Sequence, residues 1–315
     1  MRKVKVIGII IFLQLSLGLS ATTKDTTKFA HLKVQRMSDS YIDVYYNKPP
    51  TDKKMPIMIA CQGSGTDDNT EGFLGLIGQF KDKVVGMTIE KEGVNFGDQG
   101  DSVRVAYREN NTIYNRLYDY LRVLEYLKAH ATWWDGNVYV IGGSEGGLLA
   151  GMLASYYPNV KGLAILSFGG AMTFGEAWPI ASGNQAKQDG KATQAAIEKE
   201  EKATWDSLKR IYNDPVFSKS YSGMDNSYAW WRSIMNLRLQ NVLIDLNIPI
   251  FVGQGTNDMM VPIESARKLE RAFKDAGKTN LFYKEYQSYA HDFSDENGNS
   301  HLVTVFTEAI TYLLK

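Results

Sequence analysis

The residue most able to do chemistry is a serine in a glycine-rich run. Ser144 lies in the sequence GGSEG at positions 142–146, directly after the strand-like run 138–141. A Gly-x-Ser-x-Gly turn between a strand and a helix exposes a serine hydroxyl, which becomes a strong nucleophile when a base removes its proton. Gly142 and Gly146 leave room for the turn. The pattern favours a nucleophilic serine; the alternatives are a turn that only packs tightly and one that cradles a phosphate.

A candidate acid follows a later strand-like run. Residues 249–252 are apolar, and the loop after them contains Asp258 before it reaches Pro262. A carboxylate at this place could orient a histidine base and stabilise its charged form. The alternative is that Asp258 caps the helix that Pro262 begins, because aspartate is favoured at that position.

Four histidines are present, and His291 is the candidate base. It lies in the loop 288–293 after the last strand-like run, from which its ring could return to Ser144. His301 begins the final helical pattern and is the weaker choice. Without a nucleophile and an acid upstream, His291 would be interpreted as a solvated loop histidine.

The candidates occur in the order serine, aspartate, histidine, and this order is specific because unrelated folds reach the same triad through different orders. Residues 142–147, Asp258 and His291 resemble the nucleophile turn, acid and histidine of the α/β-hydrolase superfamily, over nearly the whole predicted mature chain. The doubled glycines around Ser144 are similar to those of the prolyl oligopeptidase and dipeptidyl peptidase branch and of esterase and thioesterase relatives. The chain is too short for the β-propeller of the large peptidases.

Two backbone amides are candidates for an oxyanion hole. The N–H of Glu145 lies at the start of the helix that follows the turn, where the helix dipole favours negative charge. A second donor is expected from the loop QGSG at 62–65, and we assign it to Ser64, with Gly65 as the alternative. This loop differs from the His-Gly-Gly-Gly loop of some lipases and esterases.

Strand-like and helical patterns alternate along the chain. After an opening hairpin (32–36 and 41–46), the strand-like runs are 57–61, 84–89, 138–141, 162–167, 249–252 and 281–286, and the helical patterns are 112–128, 145–157, 263–276 and a final helix. In the first of these helices Leu117, Leu121, Leu124 and Leu127 share one face, and we expect Arg116 and Asp119 to face elsewhere. The alternation predicts an α/β protein with a mostly parallel, doubly wound central sheet.

Residues 171–245 interrupt this alternation with two helical stretches and no strand-like run. We interpret them as a helical cap inserted between two strands of the sheet. The cap contains five large aromatic residues, which could wall an apolar acyl or peptide pocket or could form the cap's own core: Phe174, Trp178, Trp205, Trp230 and Trp231.

The N-terminus predicts export. Residues 1–21 combine Arg2, Lys3 and Lys5 with a short apolar run and small residues, the pattern of a secretory signal peptide, and residues 22–315 would form the hydrolase domain. No membrane span is expected after cleavage, because the apolar run is too short. Cys61 is the only cysteine, so no internal disulfide can form, which suits a periplasmic or secreted protein.

The composition and the motifs indicate which partners are not expected. Lys plus Arg and Asp plus Glu both number 35, so no positive field favours a nucleic-acid partner. No metal or cofactor motif is evident, and no cofactor is expected. The resemblance implies a serine hydrolase that cleaves a small-molecule ester, a thioester or a short peptide through an acyl-enzyme on Ser144. The alternatives are a non-catalytic binding protein and an acyltransferase.

Overall fold

The computed structural model describes residues 28–50, 52–99, 105–188, 193–220 and 226–315. The predicted signal peptide, residues 1–21, lies outside these ranges. None of the helices in the described part of the chain is both long and apolar enough to cross a membrane.

Eight strands form one sheet. They are β1 (Ala30–Met37), β2 (Ser40–Tyr46), β3 (Met55–Cys61), β4 (Val85–Ile89), β5 (Trp134–Gly143), β6 (Val160–Leu166), β7 (Ile250–Gly255) and β8 (Leu281–Tyr286). Their spatial order is β1-β2-β4-β3-β5-β6-β7-β8. The neighbouring strands pair in parallel from β4 through β3, β5, β6 and β7 to β8. Strands β1 and β2 pair antiparallel with each other, and β2 pairs antiparallel with β4. The predicted opening hairpin and the mostly parallel sheet are confirmed.

Ten α-helices connect and cover the sheet in the described part of the chain. They are α1 (Thr70–Ile77), α2 (Val105–Asn110), α3 (Ile113–His130), α4 (Glu145–Tyr156), α5 (Phe174–Gln188), α6 (Gln194–Asn213), α7 (Tyr228–Ile234), α8 (Gln240–Leu243), α9 (Ile263–Asp275) and α10 (Leu302–Leu313). Apolar side chains of α1 and α10 pack with one face of the sheet, and those of α3, α4 and α9 pack with the other. The sheet is therefore doubly wound, as the alternation predicts.

The strands that carry the candidate site are buried on both faces. All six residues of β7 are buried, and so is every residue of β3 except Pro56. Strands covered on both faces are expected to be apolar throughout, which is why these runs lack alternation in the sequence. Parallel strands bring their carboxyl ends to one edge of the sheet, so the loops after β3, β5, β7 and β8 meet there.

Helix α3 crosses one face of the sheet and begins at a capped residue. The Thr112 hydroxyl accepts a hydrogen bond from the Asn115 N–H at 3.2 Å, which satisfies one of the free amides of the first turn. The expectation that Arg116 and Asp119 face away from the core is wrong, because both are buried. Each is neutralised by an ion pair, to Glu145 and to Arg36 respectively, and this permits burial of the charge.

Four helices, α5 to α8, lie between β6 and β7, where the sequence predicts two helical stretches. In α6 the buried residues include Ile197, Leu208 and Ile211, so the helix packs along one stripe. Trp205 lies off that stripe and is 42% exposed. Trp205 therefore contributes to neither the pocket nor the core of the cap, the two places considered for it from the sequence.

Candidate active site

The turn that holds Ser144 is sharp and strained. Strand β5 ends at Gly143 and α4 begins at Glu145, so Ser144 alone makes the transition, with φ 55° and ψ −128°. A positive φ is costly for a residue with a side chain and persists where surrounding structure enforces it. The Ser144 N–H donates to the Leu166 carbonyl of β6 at 2.9 Å, which ties the turn to the sheet. The hydroxyl is consequently presented at the carboxyl edge of the strands.

Two glycines allow the turn to pack. A Cβ added to Gly142 would overlap the carbonyl oxygen of Gly146, and one added to Gly146 would overlap the carbonyl oxygen of Cys61. These neighbours are backbone atoms that cannot rotate away. The close packing of α4 against the end of β3 therefore requires glycine at 142 and 146, in agreement with the sequence pattern.

Replacing Gly146 by alanine is expected to lower the free energy of unfolding by about 3 kcal/mol, because the new methyl group overlaps backbone. Urea denaturation measures the effect. Gly75→Ala is the matched control: Gly75 lies within α1, and a Cβ there meets no atom within 4 Å. That variant should gain about 0.5–1 kcal/mol from helix propensity. Equal stability of the two variants would contradict the packing described here.

Asp258 lies in the loop after β7, and both oxygens of its carboxylate take part in hydrogen bonds. Its Oδ1 accepts from the N–H groups of Met260 and Val261 at 2.9 and 2.8 Å. Its Oδ2 accepts from Gln254 Nε2 at 2.6 Å and bonds to His291 Nδ1 at 2.8 Å. The alternative that Asp258 caps the following helix does not hold, since α9 begins after Pro262 and has no side-chain cap.

His291 lies in the loop after β8, with its Nδ1 on Asp258 and only 14% of its side chain exposed. Burial by itself lowers the pKa of His291, but the charge of Asp258 and the hydrogen bond to it outweigh burial and leave that pKa raised above its ordinary value. The His291 backbone is held as well, because the Ser167 hydroxyl donates to its carbonyl at 2.7 Å. The loop after β8 is also bonded to the loop after β7, because the Asn257 N–H donates to the Tyr289 carbonyl at 2.9 Å.

Ser144 and His291 line the same pocket. The hydrogen bonds of the described residues do not include one between the Ser144 hydroxyl and His291, whereas the bond from His291 to Asp258 is formed. Bonds between nucleophile and base are often long in the absence of substrate. The structure thus brings the three residues, far apart in the chain, to one edge of the sheet.

The two predicted oxyanion donors border the same pocket. Glu145 is the first residue of α4, so its N–H has no partner within the helix, and Ser64 lines the pocket from the loop after β3. The alternative donor, the N–H of Gly65, already donates to the Tyr107 hydroxyl at 3.1 Å. This engagement favours Ser64 over Gly65.

The rest of the pocket is mainly apolar. Its apolar lining residues are Phe73, Leu148, Phe168, Phe174, Trp178, Trp230, Ile234, Met260 and Val261. Trp231 is fully buried behind them and packs edge-on against Trp230, with ring centroids 5.0 Å apart. Of the five aromatic residues singled out in the sequence, three line the pocket, Trp231 supports them, and Trp205 lies on the surface.

The remaining candidates from the sequence lie elsewhere. His301 pairs with Asp295 at 3.1 Å and is not among the residues that line the pocket. Cys61 is completely buried, and burial raises the pKa of its thiol to about 12, so this cysteine packs as a small buried hydrophobe. Within the ranges that the structure describes, no group of three or more His, Cys, Asp or Glu side chains is placed to hold a metal ion.

Three well-connected residues of the site were not identified from the sequence. Gln254 orients Asp258, Ser167 holds the His291 loop, and Arg116 pairs with Glu145. A signal existed for Arg116, because it lies on the stripe of Ile113, Leu117 and other buried residues of α3. Gln254 stands at a fully buried strand position, where a polar side chain needs a partner.

No family model matches the sequence, and no curated protein matches it. Solved structures do. Est1E from Butyrivibrio proteoclasticus is 14% identical with a TM-score of 0.55, over 90% of this chain and 98% of Est1E. A bromoperoxidase from Bacillus anthracis is 16% identical with a TM-score of 0.53, over 90% of this chain and 99% of that one.

A longer protein matches over part of its length. The acylaminoacyl peptidase of Pyrococcus horikoshii is 13% identical with a TM-score of 0.58, over 90% of this chain and 41% of the peptidase. At such low identity these likenesses concern the fold. Together with the strand order and the strand-to-helix turn at Ser144, they show that the chain has the α/β-hydrolase fold.

Proposed function

We propose that this protein is a serine hydrolase that cleaves a carboxylic ester, a thioester or a peptide bond through an acyl-enzyme on Ser144. One observation carries the proposal. Ser144, on a strained turn, lines one pocket with His291, whose Nδ1 is bonded to Asp258 at 2.8 Å. A nucleophile, a base and a group that orients the base are the parts that acyl transfer requires.

Each step has a residue for it in this geometry. Neutral His291, with its proton on Nδ1 facing Asp258, takes the Ser144 proton on Nε2 while Oγ attacks the substrate carbonyl carbon. The N–H groups of Glu145 and Ser64 donate to the oxygen that becomes negative. The bond to the leaving group then breaks, and His291 gives its proton to the leaving atom. In the second half His291 takes a proton from water, whose oxygen attacks the acyl carbon. The bond from that carbon to Ser144 Oγ then breaks, and His291 returns the proton to Oγ.

The lining of the pocket suggests the acyl group. Aromatic and aliphatic side chains form most of it, so we propose that an apolar or aromatic acyl group binds there. Ferulic acid, an aromatic acid, is bound in a structure of Est1E, which is 15% identical to this chain with a TM-score of 0.58. We further propose, from residues 1–21, that the protein is exported to the periplasm or the medium.

The pH dependence of p-nitrophenyl acetate hydrolysis tests this proposal. Only the neutral imidazole can accept the Ser144 proton. Burial lowers the pKa of His291, but the negative charge of Asp258 and the hydrogen bond to it have the larger effect and raise that pKa. We therefore expect kcat/KM to rise about tenfold per pH unit in acid solution and to level off above the ordinary histidine value of about 6.5.

His291→Ala should abolish that profile together with most of the activity. A protein that binds the ester without releasing p-nitrophenol would instead support the alternative of a non-catalytic binding protein. Faster release of p-nitrophenol with added alcohol, and formation of the new ester, would support an acyltransferase that uses the same residues.

A further inference from the structure

A buried ion pair lies behind the turn of Ser144 and has no role in the steps described so far. Arg116 of α3 donates from Nη1 to Oε1 of Glu145, the first residue of α4, at 2.8 Å. Their side chains are 4% and 5% exposed. Buried ion pairs contribute little net stability, because removing both charges from water offsets their attraction. A function other than stability is therefore a reasonable expectation for this pair.

Arg116 also binds the loop that carries the second oxyanion donor. Its Nη2 donates to the Gln62 carbonyl at 2.5 Å, and its Nη1 lies 3.5 Å from the Gly63 carbonyl. The Gly63 carbonyl and the Ser64 N–H belong to one planar trans peptide unit, in which the C=O and N–H bonds point in opposite directions. Holding that carbonyl toward Arg116 turns the Ser64 N–H away from Arg116, and Ser64 lines the pocket with Ser144.

The Glu145 carboxylate connects the other side of the pocket. Its Oε2 accepts from the indole N–H of Trp230 at 3.0 Å, and Trp230 is a pocket wall. A carboxylate near the oxyanion would oppose its negative charge, and Arg116 neutralises that carboxylate. The ion pair therefore contacts both the Ser64 loop and the aromatic wall at Trp230. One of its two members, Glu145, is also the residue whose N–H is the first predicted oxyanion donor.

We propose that Arg116 and the Glu145 side chain are a positioning pair that holds the Ser64 and Glu145 amides and the Trp230 ring in the arrangement that stabilises the oxyanion. The inference rests on the proposed function. It assigns to these side chains an effect mainly on the transition state, because the amides that they position donate to the oxygen that becomes negative there.

The test is the double variant Arg116→Met/Glu145→Gln, which removes both charges together and leaves no unpaired buried ion. Its matched control is Arg36→Met/Asp119→Asn. Asp119 lies on the same helix, one turn from Arg116, and its pair with Arg36 is equally short at 2.8 Å with 9% and 7% exposure. The hydrogen bonds that Arg36 donates in the described part of the chain go to Asp119 and to the Tyr41 carbonyl, and not to the loop 62–65. Urea denaturation of both double variants shows how far each pair affects stability.

Kinetics separate positioning from stability. In the Arg116→Met/Glu145→Gln variant we expect kcat for p-nitrophenyl acetate to fall about a hundredfold, which is the effect of losing one oxyanion donor, with KM changed less than about threefold. Affinity for a trifluoromethyl ketone, which forms a tetrahedral oxyanion on Ser144, should fall by the same factor as kcat/KM. The control should stay within about threefold of the wild type in both measurements.

Arg116→Lys is the second variant, because it retains the buried charge if the double variant does not fold. A lysine cannot donate to the carboxylate and two carbonyls with a planar fork, so kcat and ketone affinity should both fall about tenfold. Unchanged kcat in a folded variant, or equal losses in the variant and the Arg36 control, would overturn the inference. A wild-type protein that does not hydrolyse the ester would instead refute the proposed function.

Discussion

Replacing Ser144 by alanine is expected to lower kcat for p-nitrophenyl acetate by about a millionfold, the effect seen when a serine nucleophile is removed. The reason is chemical, because alanine has no atom that can form the acyl-enzyme. The backbone should keep its shape, because the variant keeps the hydrogen bond from the N–H of residue 144 to the Leu166 carbonyl. It also keeps Gly142 and Gly146, whose lack of a side chain allows the turn to pack closely. Stopped-flow or steady-state release of p-nitrophenol measures the rate.

Binding supplies the control for that variant. The Ser144→Ala protein should retain its unfolding midpoint in urea and should still bind a substrate-like ester, since the aromatic walls of the pocket are unchanged. Hydrolysis in the Ser144→Ala protein at more than about one-hundredth of the wild-type rate would show that another group is the nucleophile.

Asp258→Asn should lower kcat/KM by about ten-thousandfold with little change in fold. The asparagine oxygen can replace Oδ1 and keep the bonds from the Met260 and Val261 amides at 2.9 and 2.8 Å. Its amide nitrogen then faces His291 Nδ1 in place of Oδ2, so the imidazole must accept there and carries its proton on Nε2. That tautomer cannot take the proton of Ser144.

The same variant has a second signature in its pH profile. The charge of Asp258 and the bond to it raise the pKa of His291 against the effect of burial, so the pKa should fall when the carboxylate is lost. We expect the residual activity to level off at a lower pH than in the wild type. Asp295→Asn is the matched control, because it alters a histidine–aspartate pair outside the pocket, that of His301, and should leave kcat/KM and its pH profile unchanged. A profile shifted equally in both variants would contradict the assignment.

The fold was predictable because its central strands are chemically distinctive. A sheet covered on both faces requires uninterrupted apolar runs, and the runs at β3 and β7 have that character. The strand ends were less predictable: β7 continues through Gln254 to Gly255, beyond the apolar residues, because the backbone pairing with β8 extends to Tyr286. Pairing of this kind depends on a neighbouring strand and leaves no mark in the local sequence.

Chain order and turn chemistry also located Ser144, Asp258 and His291, which the structure brings to one edge of the sheet, although their roles remain a proposal. The roles of Ser167 and Arg116 were not predicted because they depend on contacts with residues far away in the chain, 124 positions for Ser167 with His291 and 29 for Arg116 with Glu145. Polar residues at such positions look like surface residues until the partner is known. Trp205 is the opposite case, an apolar residue expected in the pocket or in the core of the cap that instead lies on the surface.

Labelling with a fluorophosphonate tests the central claim most directly, since the reagent phosphonylates an activated serine and the adduct persists through peptide mapping. We predict one phosphonyl group per chain, located on Ser144, with labelling abolished in Ser144→Ala and slowed in Asp258→Asn. Labelling at another residue, or an unlabelled protein that still hydrolyses p-nitrophenyl acetate, would contradict a serine nucleophile at position 144.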